Sequence, residues 1–238
     1  MTCFIKKNNL NIQDKGNIYE PWEKGREFTL ITNVLKFRPW YITGFTDAEG
    51  CFNMIVSKST SASVGYRVQA RFIIELHIKD IALLEMINTY FGGIGKITIP
   101  IKRKSARFTV VNLKEIVNKI IPHFEKYPLQ SVKKIDYELW KECVNLMADG
   151  KHLTKEGLEQ IISIKAAINL GLSDQLKEAF PQNRNIVRPL YISSNELLHP
   201  DWVTGFIEGD GSFNIRLVYQ PKRVGVISLL SPSIIGLR

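Results

Sequence analysis

The sequence predicts an α/β chain of the α+β kind, built on a helix–strand–strand unit that occurs twice. Three observations predict it. A segment at 39–53, PWYITGFTDAEGCFN, returns at 200–214 as PDWVTGFIEGDGSFN, an offset of 161 residues with seven identical positions. The stretches between the copies switch between a two-residue and a 3.6-residue apolar period, the marks of strand and helix. At 238 residues and 45% apolar composition, the chain can bury a sizeable core.

The elements follow in order. Residues 1–34 are polar and Asn-rich without a sustained period, and read as an N-terminal extension. Residues 40–49 read as a helix that stops at Gly50, and 51–57 as a strand. In RVQARFIIELHI, 67–78, Val68, Ala70, Phe72, Ile74, Leu76 and Ile78 form one face, and Arg67, Gln69, Arg71, Ile73, Glu75 and His77 the other. That is a strand with one buried and one open face. Residues 80–91 take helical spacing, with Asp80 as the expected N-cap and Gly92-Gly93 as the stop. Residues 95–102 and 106–112 return to extended spacing, and 113–126 to helix up to the Tyr127-Pro128 break. The first unit is thus αββαββα and spans 35–150. Helices are expected at 131–147, 154–170 and 173–180, the last two inside a helical linker that spans 151–198, and the second unit begins at 199.

The formal net charge is +9, which points to a polyanionic partner. Its distribution says more than its size. Segments 50–74 and 86–114 together hold nine Lys and Arg and no Asp or Glu. They carry the whole excess, because the remainder of the chain balances. The three cysteines, Cys3, Cys51 and Cys143, and the four histidines are scattered, so neither a disulfide framework nor a zinc finger is expected. No stretch offers 18 uncharged apolar residues, and the first residues lack a signal peptide's apolar core, so no membrane partner is expected.

In the repeated helix, Gly44 and Ala48 lie four apart, as do Gly205 and Gly209 in the second copy. Small residues at that spacing let two helix backbones approach closely. Ordinary helix packing is the competing reading for one copy; two matched copies favour packing of these helices against each other about a pseudo-twofold axis. Each helix ends in acids, Asp47 and Glu49, then Glu208 and Asp210. Acids oppose the dipole at a helix C-terminus, and joining Glu49 to Asp210 at one seam adds like-charge repulsion. A divalent cation between them resolves both, and carboxylate and water oxygens suit Mg²⁺. Two solvated helix ends are the alternative. The open sheet face would carry Asn53, Ser57, Arg67, Gln69, Arg71, Lys96, Thr98, Lys102, Arg107 and Thr109, with Lys58, Arg103 and Lys104 at its turns. Arg and Gln suit base edges in a groove wide enough for a β-ribbon, and Lys suits phosphates. A merely soluble face would mix both signs.

The nine-residue strings ITGFTDAEG, 42–50, and VTGFIEGDG, 203–211, resemble the LAGLIDADG motif. The match extends through LHIKDIALLEMI, FGGIG, IIPHFEKYPL, HLTKEGLEQI and IKAAINLGLSDQLKEAFP to Arg188-Pro189. The chain therefore resembles a single-chain LAGLIDADG homing endonuclease of the fungal mitochondrial, intron-encoded kind. The resemblance implies a saddle-shaped antiparallel sheet on double-stranded DNA, metal-dependent phosphodiester hydrolysis, a mitochondrial location and a monomer. It implies that the metal-binding acids are Glu49 and Asp210, with Lys133 after the Pro128-Leu129 turn as the basic catalytic residue. Asp47 and Glu208, at the sixth motif position, read as structural.

The second copy reads as incomplete. Of the 238 residues, 24 follow Asn214, whereas the first unit needs about 87 after Asn53. Ile215–Tyr219 could form one strand with Arg216 toward DNA, and SLLSPSIIGLR matches nothing expected of a second unit. On that reading Phe206 and Phe213 would lack partners, cleavage would be impaired, and self-association would become open. The rival functions are a maturase that binds its own intron RNA and an inactive DNA-binding remnant.

Overall fold

A computed structural model describes residues 37–101, 103–182, 186–192, 197–218 and 227–234, with 213–218 and 227–234 described by their backbone alone. Helix α1, Pro39–Glu49, starts on a proline, whose fixed φ and missing N–H suit the first turn. It ends at Gly50, which turns directly into strand β1, Gly50–Lys58. Strand β2, Tyr66–His77, pairs antiparallel with β1, placing Asn53 opposite Arg71 and Ser57 opposite Arg67. Helix α2 spans Ile81–Tyr90, β3 is the short Lys96–Thr98, and β4 is Ser105–Val110. The sheet order is β1-β2-β4-β3.

Three expected details change. The Asp80 side chain makes no capping bond; instead a 3₁₀ turn, Ile78–Asp80, precedes α2, and His77 Nδ1 accepts from the Lys79 N–H at 3.2 Å. The expected strand 95–102 shrinks to three residues, because Pro100 has no N–H to offer a ladder. The helix expected over 113–126 forms, but not as one regular α-helix. In α3, Leu113–Glu115 is α-helical, Ile116–Ile120 π-helical and Ile121–Lys126 α-helical. The Ile121 N–H reaches back to the Ile116 carbonyl. Pro122 one residue later has no donor and would crowd the preceding turn, so the widened turn relieves it.

Helix α4, Lys133–Ala148, lays Tyr137, Trp140, Cys143 and Val144 onto the sheet. The core centres on Phe52. Its ring lies 5.3 Å from Phe72, 5.4 Å from Phe124, and 5.2 Å from both Tyr137 and Trp140. Strand β1 is a sheet edge, and side chains from outside the sheet donate to two of its carbonyls. Asn169 Nδ2 donates to Phe52 O at 2.8 Å and Trp140 Nε1 to Asn53 O at 3.3 Å.

Helices α5, Lys155–Lys165, and α6, Asp174–Ala179, lie in the stretch read as a linker, yet Leu158, Ile161, Ile162, Ile164 and Leu176 enter the same core. Beyond them Arg188 clamps Asp136 at 2.6 and 3.1 Å and reaches the Ala167 carbonyl at 2.7 Å. The chain then returns as α7, Pro200–Asp210, against α1. After α7 the expectation of a single strand fails. Strand β5, Gly211–Val218, pairs antiparallel with β6, Ile227–Ile234, so most of SLLSPSIIGLR belongs to a hairpin. The repeat had suggested otherwise because strand pairing needs backbone reach, not side chains copied from β2. Among the described residues β6 pairs with β5 alone, a position in which a strand can hold a proline such as Pro232. Residues 1–34 lie outside the described residues. No described helix is long and apolar enough to cross a membrane.

One buried group links this core to pH. Thr43 Oγ1 donates to Tyr127 O at 2.9 Å, so it accepts from His123 Nε2 at 3.2 Å, and Tyr90 OH donates to Nδ1 at 3.1 Å. That assigns a neutral imidazole, and burial pushes its pKa from 6.5 down to about 3. A base with a lowered folded pKa stabilises the fold fully above its unfolded pKa and loses that contribution as pH falls. From this residue the protein should lose about 1.4 kcal/mol per pH unit below pH 6.5. Urea unfolding from pH 7 to pH 4.5 should show a shallower slope in His123→Gln, which keeps one donor and one acceptor; parallel curves would contradict the assignment.

Candidate active site and nucleic-acid face

The site starts from a steric fact. A Cβ on Gly44 would overlap the carbonyl of Trp202, and a Cβ on Gly205 would overlap the carbonyl of Tyr41. Trp202 and Tyr41 are 161 residues apart, as are Gly205 and Gly44, so the two clashes are one contact seen from both sides of a pseudo-twofold axis. A Cβ on Gly209 would instead meet the Ala48 side chain, its own counterpart in the repeat. Without Cβ atoms at Gly44 and Gly205, α1 and α7 touch backbone to backbone.

The same symmetry governs the polar contacts. Trp202 Nε1 donates to Asp47 Oδ2 at 2.8 Å, and Tyr41 OH donates to Glu208 Oε2 at 2.6 Å. The third residue of each helix thus holds the sixth-position acid of the other. Asp47 also accepts from the Gln130 N–H at 2.8 Å, the Ser131 N–H at 3.3 Å and the Ser131 hydroxyl at 2.6 Å. Burial raises its pKa despite these bonds. Glu208 stays exposed. Phe206, expected to lack partners, is buried and stacks on Trp202 at 4.9 Å, since α1 supplies the cover that the reading from sequence had assigned to a second sheet. The Phe213 side chain lies outside the described residues.

This packing carries Glu49 and Asp210 to the same end of the helix pair. Both are partly exposed. Burial raises the pKa of Glu49, and the charge of Asp210 raises it further. Lys133 stands beside them. Its Nζ donates to the carbonyls of Gly50 at 2.6 Å, Thr46 at 3.1 Å and Ala48 at 3.3 Å. These are end carbonyls of α1, so the ammonium caps a helix C-terminus with all three of its N–H groups. The solvated-lysine reading does not hold. Burial lowers its pKa, opposed by the charges of Asp47, Cys51, Glu49 and Asp210. Among the described residues no cluster of three or more His, Cys, Asp or Glu could hold a metal. Two carboxylates suit Mg²⁺, which keeps most of its waters and takes further ligands from a phosphate.

The sheet presents its other face away from the helices. Cys51, Asn53, Ile55 and Ser57 on β1 line up with Arg67, Gln69, Arg71, Ile73 and Glu75 on β2. Arg107 and Thr109 on β4, with Lys96 and Thr98 on β3, complete the face. Lys58 differs. Its parity is that of Met54 and Val56, so alternation aims it at the helix side, and it is exposed only because β1 ends there. Arg103 and Lys104 sit in the loop before β4. Lys102 lies outside the described residues, and so does the side chain of Arg216, whose backbone pairs with Leu229. Sequence reasoning passed over Glu75, which pairs with Arg107 at 2.5 Å. It also passed over Tyr41 and Trp202, although their places in the repeat were a usable signal.

The sequence pattern of the LAGLIDADG endonuclease family matches residues 42–144. A curated relative, "Probable intron-encoded endonuclease 3" of Neurospora crassa, is 38% identical over 200 residues, covering 84% of this chain and 37% of that one. The chain thus spans little more than a third of that relative. Among solved structures, the I-SmaMI LAGLIDADG homing endonuclease bound to cleaved DNA is 39% identical with a TM-score of 0.79, covering 84% of this chain and 66% of that one. The LAGLIDADG meganuclease I-CpaMI bound to uncleaved DNA is 39% identical with a TM-score of 0.77, covering 84% and 67%.

Two substitutions test the helix contact. Gly44→Ala should lower the unfolding free energy by about 3 kcal/mol, because the overlap is with backbone and no rotamer relieves it. Trp202→Phe should cost about 1–3 kcal/mol by leaving a buried carboxylate one donor short. Denaturant midpoints measure both; a loss below about 0.5 kcal/mol in Trp202→Phe would show that the 130–131 loop satisfies Asp47 alone.

Proposed function

Because the chain belongs to the LAGLIDADG endonuclease family, we propose that it hydrolyses phosphodiester bonds at a specific site in double-stranded DNA. The observation that carries the proposal is the convergence of Glu49 and Asp210 at one end of a backbone-to-backbone helix pair, beside a sheet face rich in Arg and Lys. Glu49 and Asp210 are the proposed metal ligands, and Mg²⁺ the proposed ion. When bound, the ion supplies charge stabilisation at the phosphate and lowers the pKa of an attacking water.

The chain's own residues have separate tasks. Glu49 and Asp210 accept the ion's charge, which otherwise leaves them repelling each other. Lys133 holds the end of α1 rigid, so the Glu49 backbone does not drift when the ion arrives. It serves the proposed catalytic role through its charge near the scissile phosphate, since its N–H groups are committed to carbonyls. In the reaction a water oxygen gives up a proton and bonds to phosphorus as the bond to the leaving sugar oxygen breaks, and that leaving oxygen takes up a proton from solvent. On the sheet, Asn53, Ser57, Arg67, Gln69, Arg71, Arg107 and Thr109 face the grooves, while Lys96, Thr98, Arg103 and Lys104 hold the backbone. A likeness to "Uncharacterized mitochondrial protein RF1" of Saccharomyces cerevisiae, 25% identical over 191 residues, supports a mitochondrial location.

A randomised double-stranded DNA library selected with the purified chain should yield one preferred sequence. Mg²⁺ should then cleave that sequence and EDTA should stop it. Glu49→Gln and Asp210→Asn should each slow cleavage by at least about 100-fold, equivalent to about 2.7 kcal/mol, with binding nearly unchanged. Undiminished cleavage by both variants would overturn the assignment of the acids. Preferential binding of the chain's own intron RNA would favour a role in splicing instead.

A further inference from the structure

Within the open sheet face the arginines are not equivalent. Arg67 is exposed, and among the described residues no hydrogen bond ties its side chain. Arg107 is held on one edge. Its Nε and one terminal nitrogen donate to Glu75 Oε2 at 2.9 and 2.5 Å. Glu75 Oε1 accepts from the Ser105 hydroxyl at 2.7 Å, and the Arg103 guanidinium lies 3.8 Å away. Glu75 and Arg107 sit directly opposite each other on β2 and β4. Glu75 is the one acid on the described open face of β1 to β4.

The pairing has two chemical consequences. First, both Glu75 oxygens are engaged, so this acid is not available to accept from a cytosine amino group. Second, the pair is close to neutral while the free edge of the guanidinium keeps its N–H donors. An uncompensated arginine gains most from a phosphate, through charge and counterion release. A compensated one loses that gain, and the neighbouring carboxylate repels a phosphate. It keeps the planar pair of donors that matches the two acceptors of guanine in the major groove. Holding the side chain in place beforehand also removes much of the entropy lost on contact.

We propose that Glu75 is a positioning residue for sequence reading: it holds Arg107 so that the arginine reads a guanine edge and not the phosphate backbone. This rests on the double-stranded DNA reading above. The test uses the full chain and the sequence selected from a randomised double-stranded DNA library, together with all its single base-pair substitutions. Wild type should discriminate a G·C pair at one position by about 10-fold or more. In Glu75→Ala that discrimination should fall below about 3-fold, with other positions unchanged. The slope of log affinity against log salt should steepen by about 0.9, because Arg107 becomes a free cation. Arg107→Lys should lose discrimination at the same position, which ties the effect to the pair even if one variant is less stable. The proposal is overturned if Glu75→Ala changes affinity equally at every base pair, or if the two variants lose different positions. If wild type selects no sequence at all, the DNA reading falls and this inference with it.

Discussion

The contact between α1 and α7 is the constraint on which the rest depends. Two helices meet at backbone distance only where both lack side chains, and here Gly44 and Gly205 occupy equivalent places across one axis. Once the backbones touch, little freedom remains in the rotation of either helix. The crossed bonds, Trp202 to Asp47 and Tyr41 to Glu208, restrict that rotation further from both sides. Arg38 to Asp201 at 3.0 Å and the stacking of Trp40 on His199 at 5.4 Å repeat the pattern at the helix starts. The positions of Glu49 and Asp210 follow from this geometry, since each is the last residue of its helix.

Placing acids at two adjacent helix C-termini is electrostatically unfavourable, and the fold supplies only part of the remedy. Lys133 saturates the carbonyls at the end of α1 and brings a positive charge among Asp47, Glu49 and Asp210. Asp47 is satisfied by neutral donors. Among the described residues Glu49 and Asp210 have no comparable set of donors, and their mutual repulsion opposes ionisation of Glu49. Asp47 is thus neutralised locally, while the two acids proposed as metal ligands keep a charge imbalance that a cation would relieve.

The sheet separates two tasks by parity. One face carries the aromatic core around Phe52, and its rigidity fixes the spacing of side chains on the other. On that open face, charge alone does not define chemistry. Arg67 and Arg107 are the same residue type in the same sheet, but a carboxylate compensates the charge of Arg107 and leaves that of Arg67 free.

Much of this was legible in the chain alone. The helix pair, its small residues, the terminal acids and the alternation of β2 all follow from local period and from the repeat, which need no knowledge of distant contacts. Tertiary structure alone decided which partner each polar group takes. Lys133 reaches carbonyls more than 80 residues away, Asp47 finds Trp202 across the axis, and Glu75 meets Arg107 through the β2–β4 register. It also decided that α5 joins the first core and that β6 pairs with β5. The physical reason is common to these cases. Periodicity is a property of neighbours along the chain, whereas hydrogen-bond pairing and the cost of burying a charge depend on groups that only folding brings together.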